Sequence, residues 1–149
     1  MNSPFVYKCV MVIDDSATDN FIAEHLIKKT GLAKNVIIET NVESAIATLT
    51  KSLEHKESDT SMKPEILLVD IAMPVLDGFD FLKKYEELDP ACSIRTYLLT
   101  AAYYVLHKEK AKNFISLKGF IHKPLTEAIL EELKGGLSAD ISDQYHPFS

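Results

Sequence analysis

Short, uninterrupted apolar runs alternate along this chain with longer stretches in which apolar residues recur every three or four positions. The runs are Val10-Met11-Val12-Ile13, Val36-Ile37-Ile38, Ile66-Leu67-Leu68-Val69, Tyr97-Leu98-Leu99 and Phe120-Ile121. Runs this short, bounded by charged residues, Pro or Gly, suit strands buried on both faces of a parallel sheet better than amphipathic helices. They predict strands over about 7–13, 35–40, 66–69, 96–99 and 118–121. Between them, Ala17, Phe21, Ile22, Leu26 and Ile27 recur at helical spacing after a Ser16 or Asp15 cap until Gly31 stops them. Ala45, Ile46, Leu49 and Leu53 mark a second helix over 42–53, and Phe79, Leu82 and Tyr85 a third over 79–88 that Pro90 closes. A weaker pattern over 103–114 carries Lys108, Glu109, Lys110 and Lys112 on its outer face. Leu125, Ile129, Leu130 and Leu133 define a last helix over 125–133, ended by Gly135-Gly136.

Strands alternating with helices imply right-handed crossovers and a doubly wound α/β fold with helices on both faces. No repeat or second core is visible, so the reading is one domain over 1–136 with its core at about 7–134. The polar stretch 55–63 is predicted to be an exposed loop. The tail, 137–149, has no pattern to bury and is expected to be flexible or loosely docked.

Composition narrows the partners. A chain of 149 residues is long enough to bury a core without disulfides or a structural metal. The net charge of −6 argues against a nucleic-acid-binding module, which needs a basic face. No apolar stretch approaches membrane-spanning length and the first residues lack a signal-peptide pattern, so a soluble, cytoplasmic protein is expected. Cys9 and Cys92 form neither a metal-ligand nor a disulfide pattern; Cys9 reads as a small hydrophobe in a strand.

The chemistry lies at the strand ends. The first strand ends in Asp14-Asp15, the third in Asp70, the fourth in Thr100 and the fifth just before Lys123. In open α/β sheets the carboxyl edge is where ligands bind. Three neighbouring carboxylates repel one another, and a cation or proton uptake relieves that repulsion. Hard oxygen ligands with space for water suit Mg²⁺. With an ammonium and a hydroxyl beside them, they are the parts that hold phosphoryl oxygens while a carboxylate attacks phosphorus.

Val12-Ile13-Asp14-Asp15, the run from Leu68 through Asp70, Met73-Pro74 and Asp77-Gly78, Leu98-Leu99-Thr100-Ala101-Ala102 and Gly119-Phe120-Ile121-His122-Lys123-Pro124 together resemble the receiver domain of two-component response regulators. The resemblance covers Tyr7 to Lys134. It implies a flavodoxin-like, five-stranded sheet of order 2-1-3-4-5. It implies that Asp70 accepts a phosphoryl group from a phosphohistidine of a histidine kinase or histidine phosphotransfer protein. Asp14, Asp15, Asp70 and the main-chain carbonyl of Ala72 would hold Mg²⁺, and Thr100 and Lys123 would contact the phosphoryl group. Thr100 and Phe120 would form the switch, the Lys123–Pro124 bond would be cis, and the face of the fourth helix, fifth strand and fifth helix would be read by a downstream effector protein. Such a chain is a phosphoacceptor rather than an enzyme, with no output domain of its own, working as a monomer or a phosphorylation-dependent dimer.

Two other functions compete. A phosphatase of the haloacid dehalogenase type also uses a strand-end Asp with a Thr and a Lys, but needs an acidic residue two positions after the nucleophile, where this chain has Ala72. A degenerate receiver acting as an unphosphorylated docking module would lack a site residue, and none is missing. Ala72 and Ala102 are small at positions that influence phosphoryl lifetime in the family. His122 reads as a solvated loop residue, and His25 has no four-helix setting for phosphorylation.

Overall fold

The computed structural model describes residues 4–54, 63–101, 107–135 and 145–147. Strands β1 (Tyr7–Ile13), β2 (Ala33–Glu39), β3 (Ile66–Asp70), β4 (Arg95–Thr100) and β5 (Leu117–His122) pair in parallel in the order β2-β1-β3-β4-β5. They are joined by α1 (Ala17–Thr30), α2 (Val42–Glu54), α3 (Gly78–Leu88) and the single turn α4 (Lys108–Ala111); α5 (Glu127–Lys134) follows β5. This is the doubly wound, flavodoxin-like arrangement. Its order reverses between β1 and β3, which opens a crevice at their carboxyl ends.

Each apolar run divides between two faces by the period of two that any strand imposes. Met11, Ile13, Leu67, Val69, Leu98 and Phe120 pack with α2 and α3 residues such as Leu49, Leu82 and Tyr85. Val10, Val12, Leu68, Leu99 and Ile121 pack with Ala23 and Ile27 of α1 and Ile129, Leu130 and Leu133 of α5. Both faces being covered explains why the strands read as continuous rather than alternating patterns. No helix among the described residues is long and apolar enough to cross a membrane.

The structure departs from the sequence-based expectations in several places. The fourth helix, predicted over 103–114, spans only Lys108–Ala111 among the described residues, and 102–106 lie outside them. Its N-cap, His107, makes no side-chain capping bond, and Ala111 is its one buried position. Along α1 the core-facing positions are Asn20, Ala23 and Ile27, whereas Phe21 is 74% exposed. Residues 55–62 of the predicted loop and most of the tail fall outside the described residues. Within the tail, however, Tyr145–Pro147 forms β6, antiparallel to β5, with Ile121 opposite Tyr145 and Gly119 opposite Pro147. No side-chain pattern announces it, because an edge strand recruits a partner through backbone N–H and C=O groups that every sequence carries.

Candidate functional site

The site is built by how four strands stop. Beyond β3, Ile71 N–H donates to the Leu99 carbonyl at 3.0 Å, and beyond β5, Lys123 N–H donates to the Thr100 carbonyl at 2.8 Å. These bonds carry the sheet pairing one step past its edge and hold the ends of β3, β4 and β5 together. A crevice of about 450 Å³ results, lined by Asp14, Asp15, Ser16, Asp70, Ala72, Thr100, His107 and Lys123 among others. The Lys123–Pro124 peptide below it is cis.

After Asp70 the chain folds back tightly. Gly78 N–H reaches the Ile71 carbonyl at 3.0 Å, and Asp77 and Asp80 cap α3 reciprocally. Asp77-Gly78 is thus a helix start, and Gly78 does not occupy left-handed backbone. It is glycine for space: a Cβ there would meet the Asp70 carbonyl oxygen at 2.8 Å and Ile71 Cα at 2.9 Å. The left-handed position of this loop is instead Val75, at φ 70 and almost fully exposed, a strained conformation for a β-branched residue.

Asp14 and Asp70 are buried, Asp15 is exposed, and one carboxylate oxygen from each lies within 4.8 Å of the other two. Burial, followed by the Asp14 charge, pushes the Asp70 carboxyl up to about 6, against the pull of Lys123 and of the Ala72 N–H. Lys123 Nζ lies 2.9 Å from Asp14 Oδ2, 2.8 Å from Asp19 Oδ2 and 3.5 Å from Asp70 Oδ1. Burial alone would lower the ammonium, but its bonds to Asp14 and Asp19 hold it well above the usual lysine range. An all-oxygen donor set with excess negative charge fits a hard divalent cation. Of the two causes that raise the Asp70 carboxyl, burial first and the Asp14 charge second, a bound cation would offset the second.

Asp14, Asp15, Asp70, Ala72, Thr100 and Lys123 therefore line one crevice, with Phe120 behind it, and Ala102 lies outside the described residues. Phe120 is fully buried and its ring lies 6.3 Å from His107, which in turn stands 5.7 Å from Phe79. His107 and Asp19 were not singled out. No periodicity marks His107, whereas Asp19 does carry a signal, the spacing Ser16-x-x-Asp19 of a helix-capping box. His122, on the last residue of β5, is not among the crevice residues, and its Nδ1 lies 3.3 Å from the Lys123 carbonyl. Cys9 is fully buried, and burial pushes its thiol up to about 11, consistent with an inert core residue.

A flavodoxin-like sheet whose switch-point crevice holds an acidic triplet, a strand-end Thr and a Lys before a cis-Pro defines a receiver-type domain. Residues 10–134 match the response regulator receiver domain family, and the chain belongs to it. It is 32% identical over 132 residues to protein PilG of Pseudomonas aeruginosa, a match covering 89% of this chain and 86% of that protein. It spans 23% and 50% of the length of two further curated relatives. Among solved structures, a two-component response regulator from Cytophaga hutchinsonii superposes with a TM-score of 0.75 at 23% identity, covering 86% of this chain and 94% of that one. The CheX–CheY–BeF3–Mg complex from Borrelia burgdorferi gives 0.69 at 22% identity, covering 86% and 87%.

Proposed function

We propose that this chain is a phosphorylation-dependent switch in which Asp70 accepts a phosphoryl group with Mg²⁺ held by Asp14, Asp15, Asp70 and the Ala72 carbonyl. The observation that carries this is the buried Asp70, its carboxyl raised, beside Asp14 and 3.5 Å from Lys123. A Asp70 carboxylate oxygen attacks the phosphorus of a phosphohistidine on a histidine kinase or phosphotransfer protein. The P–O bond forms as the P–N bond breaks, and the imidazole leaves with the bonding pair. A divalent cation held by Asp14, Asp15, Asp70 and the Ala72 carbonyl would supply positive charge to the phosphoryl oxygens. Lys123 exchanges a carboxylate partner for a phosphoryl oxygen, and the Thr100 hydroxyl donates to another. Exposed Phe21, Ile22 and Val75, on α1 and on the loop after β3, offer apolar surface to the donor protein.

The switch runs through Thr100 and the ring series Phe79, His107 and Phe120 to the face of α4, β5 and α5, where an effector reads it. Phe120 already lies inward, so its ring needs no passage from solvent, and the change is one of packing against His107. The chain acts as a phosphoacceptor and assists its own phosphoryl transfer. Beryllofluoride with Mg²⁺, which imitates an aspartyl phosphate, is expected to shift amide resonances at Asp70, Thr100, His107 and Phe120 in a two-dimensional NMR spectrum. A spectrum unmoved at saturating Mg²⁺ would leave a docking module without phosphorylation as the better account.

Mg²⁺ affinity should follow the Asp70 carboxyl. With that group at about 6, only a tenth of the sites are ionised one unit lower. Calorimetric titration is expected to show an apparent affinity about tenfold weaker at pH 5 than at pH 7.5, on the order of one decade per pH unit below 6. A flat profile between those values would contradict Asp70 as a ligand.

A further inference from the structure

Two helices of this chain start with a capping pair three residues apart, and they use it differently. At α3, Asp80 N–H donates to Asp77 Oδ1 at 2.9 Å and Asp77 N–H returns to Asp80 Oδ2 at 2.9 Å. At α1 the forward bond is present, from Asp19 N–H to Ser16 Oγ at 3.2 Å. The return bond is not made by Asp19, because Ser16 N–H donates to Asp14 Oδ1 at 2.9 Å. Asp14 thus takes over the capping duty, and the Asp19 carboxylate is released to reach across to Lys123 Nζ at 2.8 Å. That is shorter than the approach of Lys123 to Asp70, at 3.5 Å.

Asp19 stands outside the acidic triplet, and its side chain is 43% exposed. A cation held by Asp14, Asp15 and Asp70 would compete with Lys123 for Asp14, whereas it would leave the Asp19 pair in place. An incoming phosphoryl group, in contrast, must draw on the same ammonium that Asp19 holds. We infer that Asp19 is a positioning residue that competes with a phosphoryl group on Asp70 for Lys123, and so sets how tightly the site keeps that group. The inference rests on the proposed role of Asp70.

The two anionic effects of Asp19, pairing with Lys123 and adding negative charge beside the site, both disfavour an anion there. Both also favour a divalent cation, since a Lys123 held by Asp19 competes less for the triplet. Asp19→Asn is therefore expected to act in opposite directions on the two ligands, which general loosening of the fold would not do. Because the Ser16 Oγ bond is made to the Asp19 backbone, the helix cap survives the substitution.

The test is a pair of NMR titrations on the wild-type chain, Asp19→Asn and Asp19→Glu. At saturating Mg²⁺, Asp19→Asn should reach half-saturation with beryllofluoride at about three- to fivefold lower concentration, the range expected of a partly exposed ion pair. With Mg²⁺ alone its half-saturation should rise by a similar factor, and Asp19→Glu, which keeps the charge, should return both toward wild type. Beryllofluoride affinity unchanged or weakened in Asp19→Asn, with the wild type binding normally, overturns the role of Asp19 alone. A wild-type chain that binds Mg²⁺ but no beryllofluoride overturns the phosphoacceptor reading itself.

Discussion

Asp70→Asn is expected to end phosphoryl acceptance altogether while making the fold more stable. The loss follows from chemistry, since an amide oxygen is no nucleophile toward phosphorus, and Asp14, the other buried carboxylate at the crevice, is already engaged by Ser16 N–H and by Lys123 Nζ. Intact-mass measurement after incubation with acetyl phosphate and Mg²⁺ should show a phosphorylated species for the wild type and none for the variant. The stability gain follows from electrostatics. The Asp70 carboxyl is raised in the folded state to about 6 from an ordinary value of 3.8. A group shifted in this direction favours the fold most below its unfolded value, and that contribution is lost as pH rises through its folded value. Above about pH 6 the wild type therefore carries an ionised Asp70 at a cost that Asn does not have. Denaturant unfolding without Mg²⁺ should place the variant on the order of 1–2 kcal/mol above wild type at pH 7.5, after allowing for the lost Lys123 contact. The difference should shrink toward pH 4. Phosphorylation persisting in the variant, or a gain that grows with acidity, would contradict the assignment.

Gly78→Ala is the second large effect, and it acts through shape. The added methyl would meet the Asp70 carbonyl oxygen at 2.8 Å, Ile71 Cα at 2.9 Å and Leu98 Cδ2 at 3.1 Å. Two of these belong to backbone that is hydrogen-bonded on the far side, Ile71 N–H to Leu99 and the Ile71 carbonyl to Gly78 itself, so the strand end cannot simply move aside. Overpacking of this kind costs about 2–3 kcal/mol, more than the helix propensity that Ala returns at the first position of α3. For a chain of this size the melting temperature should fall by roughly 5–10 °C. Because the displaced peptide is that of Asp70, Mg²⁺ affinity should fall as well. A melting temperature within a degree of wild type would show that the approach at Gly78 relaxes freely.

The sequence revealed the strands through their uninterrupted apolar runs and the site through what ends each run. Both signals are local, and the receiver resemblance supplied the strand order that local reading leaves open. What stayed hidden was decided elsewhere. Asp19 has the spacing of a capping residue and departs from that role because Asp14, brought alongside by the end of β1, satisfies Ser16 first. His107 joins the crevice only through the fold that sets it between Phe79 and Phe120. Gly78 was visible as a glycine beside an aspartate, the mark of a turn, whereas its necessity comes from backbone approaching across the loop. The strand at Tyr145–Pro147 rests on main-chain pairing, to which hydropathy is blind.

That last strand bears on solubility. A five-stranded parallel sheet leaves β5 with a row of free main-chain donors and acceptors, a surface on which other chains can stack without limit. Here a three-residue strip of the same polypeptide occupies it and finishes in Pro147, which has no N–H to offer a further neighbour. The sheet thereby carries its own terminator along this side, and lattice-like growth from it would first require the strip to peel away.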